Sequence, residues 1–300
     1  LQQMAYIRKV TCEEGRSTGL RMFDVKNECL QYQVMCDKCL DVAGFSYKGI
    51  NMNFLSKPGL QGRNHYDTNG QEALRSIMGG LFFTAGMENI CAPYKNETGE
   101  YPMHGRIRTT PAGEVSSSKS IKVIDEIENE AYRDQPLMLL YHINLGYPFL
   151  TPAMKFYIPT KKVTPRDEAS KGHEDRYDRM DKPKKNESEY VFIHDMKKTK
   201  DKKTWVLAVN PDLKLGLKIQ FNMKNLPYFM EWKSTAAGDY VIGLEPSNSS
   251  VYGRGYHEKN GDLHMLKPFE KEKNELVFTV LDGDEEIQAA VEEFDKQLNQ

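Results

Sequence analysis

Glu245 closes an otherwise apolar, alternating run, and a carboxylate in that setting is a candidate general base. From Tyr240 to Leu244 the alternation predicts a strand with Tyr240, Ile242 and Leu244 on one face and Val241, Gly243 and Glu245 on the other. Gly243 is expected to leave open space beside Glu245, and Pro246, which has no amide donor, to stop the strand. A surface glutamate ending a strand is the commoner occurrence of such a residue. What sets Glu245 apart is its company. His142 in LLYHINLGYPFL shares a face with Leu140, Asn144 and Gly146, while Leu139, Tyr141, Ile143 and Leu145 form the apolar face. His104 in YPMHGRIR is followed by Gly105, which permits close backbone approach, by Arg106 with its rigid fork of donors, and by Arg108, which alternates with Arg106. Two strand-borne histidines and one carboxylate have the composition of an acid/base site. The set His104, His142, His194 and Glu245 could instead ligate a divalent metal, and its spacing decides neither way. GxSxG, HExxH and phosphate-loop signatures are absent.

The elements that must position these groups read as strands. Leu217, Ile219, Phe221 and Met223 alternate with polar residues, the pattern of a half-exposed antiparallel strand. Similar runs lie at Leu20 to Val25, Leu30 to Met35, Ser120 to Glu128, Met138 to Leu145, Tyr190 to His194, Trp205 to Val209 and Leu276 to Leu281. Many strands divided by Gly, Pro, Asn and Asp predict a sandwich or barrel. The exception is C-terminal, where Ile287, Val291, Phe294 and Leu298 recur at helical spacing behind an acidic first turn. That helix is expected on the outside of the sheets. Two charge-dense stretches, RDEASKGHEDRYDRMDKPKKNESE and KKTKDKK, carry too little apolar surface to order alone and are expected as solvated loops; the first is also a possible lid over a pocket.

Composition narrows the partners. The 300 residues carry a formal charge of −2 with 28% charged residues, without the basic excess of a nucleic-acid binder. No apolar run is long enough to cross a bilayer, and LQQMAYIRKVTCEEGRS lacks the apolar core of a signal peptide, so a cytoplasmic protein is expected. Cys12, Cys29, Cys36, Cys39 and Cys91 form an odd set without a disulfide framework. The Cys36–Cys39 CxxC has no second ligand pair for zinc. The sequons at Asn96, Asn186 and Asn248 read as chance matches.

GGLFFTAGMENICAP, PMHGRI, LLYHINLGYPFL and LPYFMEWKSTAAGDYVIGLEPSNSSVYGR, in that order, resemble the aldose 1-epimerase (galactose mutarotase) superfamily. More narrowly, they resemble its DUF4432 branch, which includes deoxyribose mutarotase-like proteins. The likeness runs from about Gly19 to Ile287, with VMCDKCLDVAG departing from the branch's usual DRGLD at Cys39. It implies an all-β fold, a large antiparallel β-sandwich with a C-terminal helix, as one domain over residues 1–300. It also implies a reaction without a cofactor on a small-molecule sugar. Carried over by motif, Glu245 takes the proton of the anomeric hydroxyl, His142 protonates the ring oxygen, and His104 holds sugar hydroxyls. Arg75, Asn89, Arg106 and Lys233 are the further binding residues the matching implies. Tyr66, Tyr141, Tyr147 and Trp232 are candidates to stack on a sugar face. With no phosphate loop in sight, an unphosphorylated aldose is the expected substrate. The alternatives left open are a metal-assisted sugar isomerase or epimerase and a non-catalytic sugar binder on the same fold.

Overall fold

Leu217, Ile219 and Phe221 are buried on one face of their strand while Lys218 and Gln220 point outward, and the same two-residue rhythm builds nearly the whole molecule. The computed structural model describes residues 5–62, 70–107, 110, 120–197 and 202–298; Tyr66 and Arg108 lie outside them.

In chain order the strands begin with β1 (Tyr6–Thr11), β2 (Arg21–Lys26), β3 (Leu30–Met35), β4 (Val42–Tyr47), β5 (Ile50–Asn51), β6 (Phe82–Met87), β7 (Tyr94–Asn96) and β8 (Gly99–Tyr101). They continue with β9 (Ser120–Glu128), β10 (Gln135–Pro136), β11 (Met138–Leu145), β12 (Lys155–Tyr157), β13 (Thr160–Pro165), β14 (Tyr190–Met196) and β15 (Lys203–Asn210). The last are β16 (Leu215–Asn222), β17 (Tyr228–Ser234), β18 (Val241–Ser247), β19 (Met265–Leu266) and β20 (Lys271–Asp282), with helices α1 (Gly253–Asn260) and α2 (Asp284–Leu298).

The large sheet runs β1-β2-β3-β4-β6-β11-β18-β17-β14-β13, with β5 on β4, and the second runs β12-β15-β16-β20-β9. Neighbouring strands in both sheets pair antiparallel. The principal core joins the inner faces of the two: Tyr141, Ile143, Phe229, Ile242 and Leu244 from the large sheet meet Ala208, Leu217, Ile219 and Phe278 from the second. Leu140, Met138, Val191 and Met230 cluster on the opposite, outer face of the large sheet.

The expected C-terminal helix is present. Phe294 and Ala290 of α2 pack on Trp205, Leu207 and Val209 of the second sheet, outside the sandwich. Helix α1 was not expected; VYGRGYHEKN offers little amphipathic pattern, and Gly261 in the left-handed region ends it. His257 fixes that helix, its Nε2 taking the Ser250 amide at 2.9 Å while Nδ1 lies 2.9 Å from Asp262 Oδ1.

The first charge-dense stretch is largely exposed, as expected, but it is ordered by bonds to the sheet. Lys233 Nζ donates to the Arg176 and Arg179 carbonyls at 2.9 Å each, Tyr240 Oη donates to the Asp181 carbonyl at 2.7 Å, and Lys184 exchanges backbone bonds with Thr235 and Ala237. Sheet residues thus supply the partners that the stretch cannot supply itself. The second stretch lies mostly at 198–201, outside the described residues.

Truncating Phe294 to alanine, in urea denaturation, is expected to cost about 3 kcal/mol and to loosen α2 ahead of the sheets, since the ring sits against Trp205 and Tyr157.

Candidate active site

The pairs Leu140↔Ser247, Ile143↔Leu244 and Asn144↔Gly243 share one register between β11 and β18, which sets His142 directly opposite Glu245. No ladder pair forms at those two positions, beside Pro246 with its missing N–H. Pro246 does not end the strand, as the sequence suggested; β18 runs on to Ser247 and pairs with Phe229 and Tyr228 of β17. It opens the β11 ladder at one point, and there the two polar side chains face each other across the strands. His142 Nε2 lies 3.1 Å from Glu245 Oε1, and the side chains are 15% and 4% exposed. Glu245 Oε1 is thus the carboxylate atom that faces the imidazole, and both side chains line one cavity.

Gly243 serves a different purpose from the one read in the sequence. A Cβ at this position would stand 2.6 Å from His142 Cε1 and 2.7 Å from Glu245 Oε1. The space beside it is already filled by the imidazole and the carboxylate, and Gly243 does not line the cavity. Its role is to let His142 lie flat against the sheet at the diagonal cross-strand position.

The pair forms part of the floor of a cavity of about 640 Å³ on the outer face of the large sheet. Trp232 stands edge-on to His142 at 5.5 Å between ring centres, and His104 lies on another side at 6.2 Å. His104 reaches it from a loop held close by two glycines: Gly86 and Gly105 bridge backbone to backbone, and a Cβ on Gly105 would meet Gly86 O at 2.1 Å. The rim carries Lys57, Arg166, Glu187, Glu189 and Asp239. Both cations are engaged, Lys57 with Asp239 at 2.6 Å and Arg166 with Asp167 and Glu189 at 2.6 and 3.4 Å.

Burial governs the protonation of the pair. It pushes Glu245 up to about 8, with Arg166 opposing and the carboxylates of Glu189 and Glu231 adding. Burial and then the neighbouring His104 push His142 down to about 3, with Asn144 opposing. Cys91, also on the wall, is driven up to about 12 by burial and then by Glu245, so it stays a thiol.

Of the residues expected at the site, Glu245, His142, His104 and Trp232 come together in the cavity, and Arg75, Asn89, Arg106 and Lys233 do not line it. Asn89 is fully buried and donates to the Ala92 and Pro102 carbonyls. Arg106 is exposed, bound to Glu88 and to the Glu100 carbonyl. Arg75 is exposed at the end of a 3-10 turn, and its carbonyl accepts from Arg16. Lys233 lies on the inner face of β17, 2.8 Å from Glu231 and donating to the charged stretch. Tyr141 is likewise on the inner face, stacked on Phe82. His194 is there too, 3.3 Å from Glu231, so the sheet separates it from the other members of the metal set. Among the described residues no group of three or more His, Cys, Asp or Glu is arranged to hold a metal ion.

Sequence reasoning missed Arg166 and Glu189, the first and last members of a stretch read as loop. The available signal was positional, since each directly flanks a strand, β13 or β14, of the sheet that bears the pair.

The family described as a domain of unknown function, DUF4432, matches residues 17–120 and 115–280. The chain belongs to the DUF4432 family. The solved structures it resembles include a Klebsiella pneumoniae protein provisionally named an aldose 1-epimerase, 20% identical, over 97% of this chain and 87% of that one, with a TM-score of 0.89. A galactose mutarotase-like protein from Clostridium acetobutylicum is 12% identical over 93% and 99% of the two chains, TM-score 0.62. A galactose 1-epimerase from Lactobacillus acidophilus is 14% identical over 93% and 99%, TM-score 0.52. At these identities the likeness shows the fold, and the DUF4432 chain has the galactose mutarotase-like sandwich expected of it. No curated protein matches the sequence.

Two variants check the packing and charge of the site. Gly243→Ala is expected to cost about 1–3 kcal/mol in urea denaturation through overpacking against His142. Glu245→Gln is expected to raise Tm at pH 7.5 by at least about 3 °C, because the unfolded chain ionises this carboxyl above its ordinary pKa while the fold holds it neutral to about pH 8. The gain grows as pH rises through that window and vanishes near pH 4.

Proposed function

We propose that this protein is an aldose 1-epimerase, interconverting the anomers of an unphosphorylated sugar by ring opening and re-closure. The observation that carries the reading is the buried pair of Glu245 and His142, 3.1 Å apart and both lining the cavity. Ring opening needs one group to accept the anomeric hydroxyl proton and another to deliver a proton to the ring oxygen. Glu245 is assigned as the base and His142 as the acid.

The reaction then needs one proton shared by the pair, no more and no fewer. With both groups driven to their neutral forms, that proton rests on Glu245 at neutral pH. The state with carboxylate and imidazolium is the one that meets a closed ring, and the neutral state follows when the ring has opened. Transfer across the 3.1 Å gap converts one to the other, and Arg166 favours the ionised carboxylate. Re-closure on the other face runs the transfers backward, so neither acid nor base is consumed. His104 and Trp232 are suited to bind hydroxyls and a ring face beside the pair. The rim supports an uncharged substrate, since its two cations already have carboxylate partners and offer no phosphate clamp.

By NMR exchange spectroscopy or polarimetry over a panel of aldoses, Glu245→Gln and His142→Asn should each slow anomer interconversion by at least about a hundredfold. Near-normal turnover in either variant would remove the assignment. The wild-type rate, corrected for spontaneous exchange, should stay level through neutral pH and drop about tenfold per unit above about pH 8, where the pair loses its shared proton. A rate that falls instead between pH 7 and 6, and is level to pH 10, contradicts it.

A further inference from the structure

A second cavity, of about 500 Å³, opens beside the first on the same outer face of the large sheet. Phe54 lines both. The segments on either side of Phe54 and around Asp239 contribute to the two in alternation: Leu55 and Leu60 to the second, Ser56, Lys57 and Pro58 to the first, and likewise Gly238 and Tyr240 against Asp239 and Val241. The exposed Lys57–Asp239 ion pair spans those two segments at the divide.

The strand order fixes how far apart the two lie. Val42 pairs with Phe82, and Phe82 with Ile143, so β4 runs parallel to β11, and with Ala43 bulged out of the ladder Gly44 stands level with Asn144 on the outer face. Gly44 is then two residues along and two strands across from His142, roughly 12 Å away on standard strand spacings. That is the span of a short oligosaccharide.

The lining suits a sugar ring. Tyr147 is 75% exposed at one side, a broad aromatic face that the core does not use. Gln33 lays its carboxamide across Gly44, where a Cβ would stand 3.2 Å from Oε1, and so presents an amide on the floor. Asn51 adds a carboxamide whose amino group is held by the Asn53 and Tyr147 carbonyls. An aromatic face, two carboxamides and no charged side chain describe a site for neutral hydroxylated rings rather than for anions.

We infer that the second cavity is a subsite for the next unit of a reducing oligosaccharide whose reducing-end ring sits at His142 and Glu245. This rests on the proposed function for the identity of that reacting ring. The substrate class becomes a reducing di- or oligosaccharide, with a free monosaccharide filling only the first cavity.

The test compares glucose and galactose with maltose, cellobiose, lactose and melibiose, by calorimetric binding and by NMR anomer exchange, in the wild type and in Tyr147→Ala and Gln33→Ala. At least one disaccharide should bind about tenfold more tightly than its reducing-end monosaccharide, a ratio within reach of aromatic contact plus one hydrogen bond. Both substitutions should remove that advantage and leave monosaccharide binding, exchange and Tm unchanged. Equal affinity for mono- and disaccharides, an advantage that survives both substitutions, or no disaccharide binding overturns the subsite. Disaccharide binding that depends on Tyr147 without any accelerated exchange keeps the subsite and overturns the epimerase reading instead.

Discussion

Everything at this site depends on the register between β11 and β18. One register places His142 across from Glu245, and a slip of either strand by a single residue would turn one of them into the sandwich core. The register is held from both sides, by Tyr141, Ile143, Ile242 and Leu244 in the principal core and by Leu140 and Met138 in the outer cluster. Apolar burial therefore fixes a polar geometry. The same burial strips water from the pair, which is why each group is driven toward its neutral form and why an ordinary glutamate and histidine acquire unusual proton affinities.

The large sheet carries charge on its inner face as well. Glu231 lies between His194 and Lys233, fully buried, and Lys233 extends its remaining donors to the carbonyls at Arg176 and Arg179. Charges this deep are costly unless paired. Here the cluster couples the interior to the charged stretch outside, and that stretch brings Arg166, Glu187 and Glu189 to the cavity rim. The Trp232 indole, donating to Glu189 at 2.9 Å, closes the connection back to His142.

Much of this was legible in the sequence because strand parity is local. The alternation around Leu217, Tyr141 and Ile242 assigned faces correctly, and with them the shared side of His142 and Glu245. What was not legible depends on distant partners. The stretch from Arg166 to Glu189 looks disordered by composition, yet it is ordered by bonds to β17 and by Tyr240. Lys233 and Asn89 have the chemistry of ligand contacts, but their polar atoms are taken up by backbone carbonyls that no local pattern reveals. Pro246 was misread because a strand with two neighbours can lose one ladder bond and continue on the other.

Gly243 has a consequence for reading relatives. A methyl group there would overlap the imidazole and the carboxylate at once, so the position acts as a lock on the arrangement of both. A chain of this fold that bears any side chain at the equivalent site must hold its histidine elsewhere, even if histidine and glutamate both remain. The identity of one residue without a side chain thus offers a sorting rule for sequences, separating those able to assemble the facing pair from those that merely contain its members.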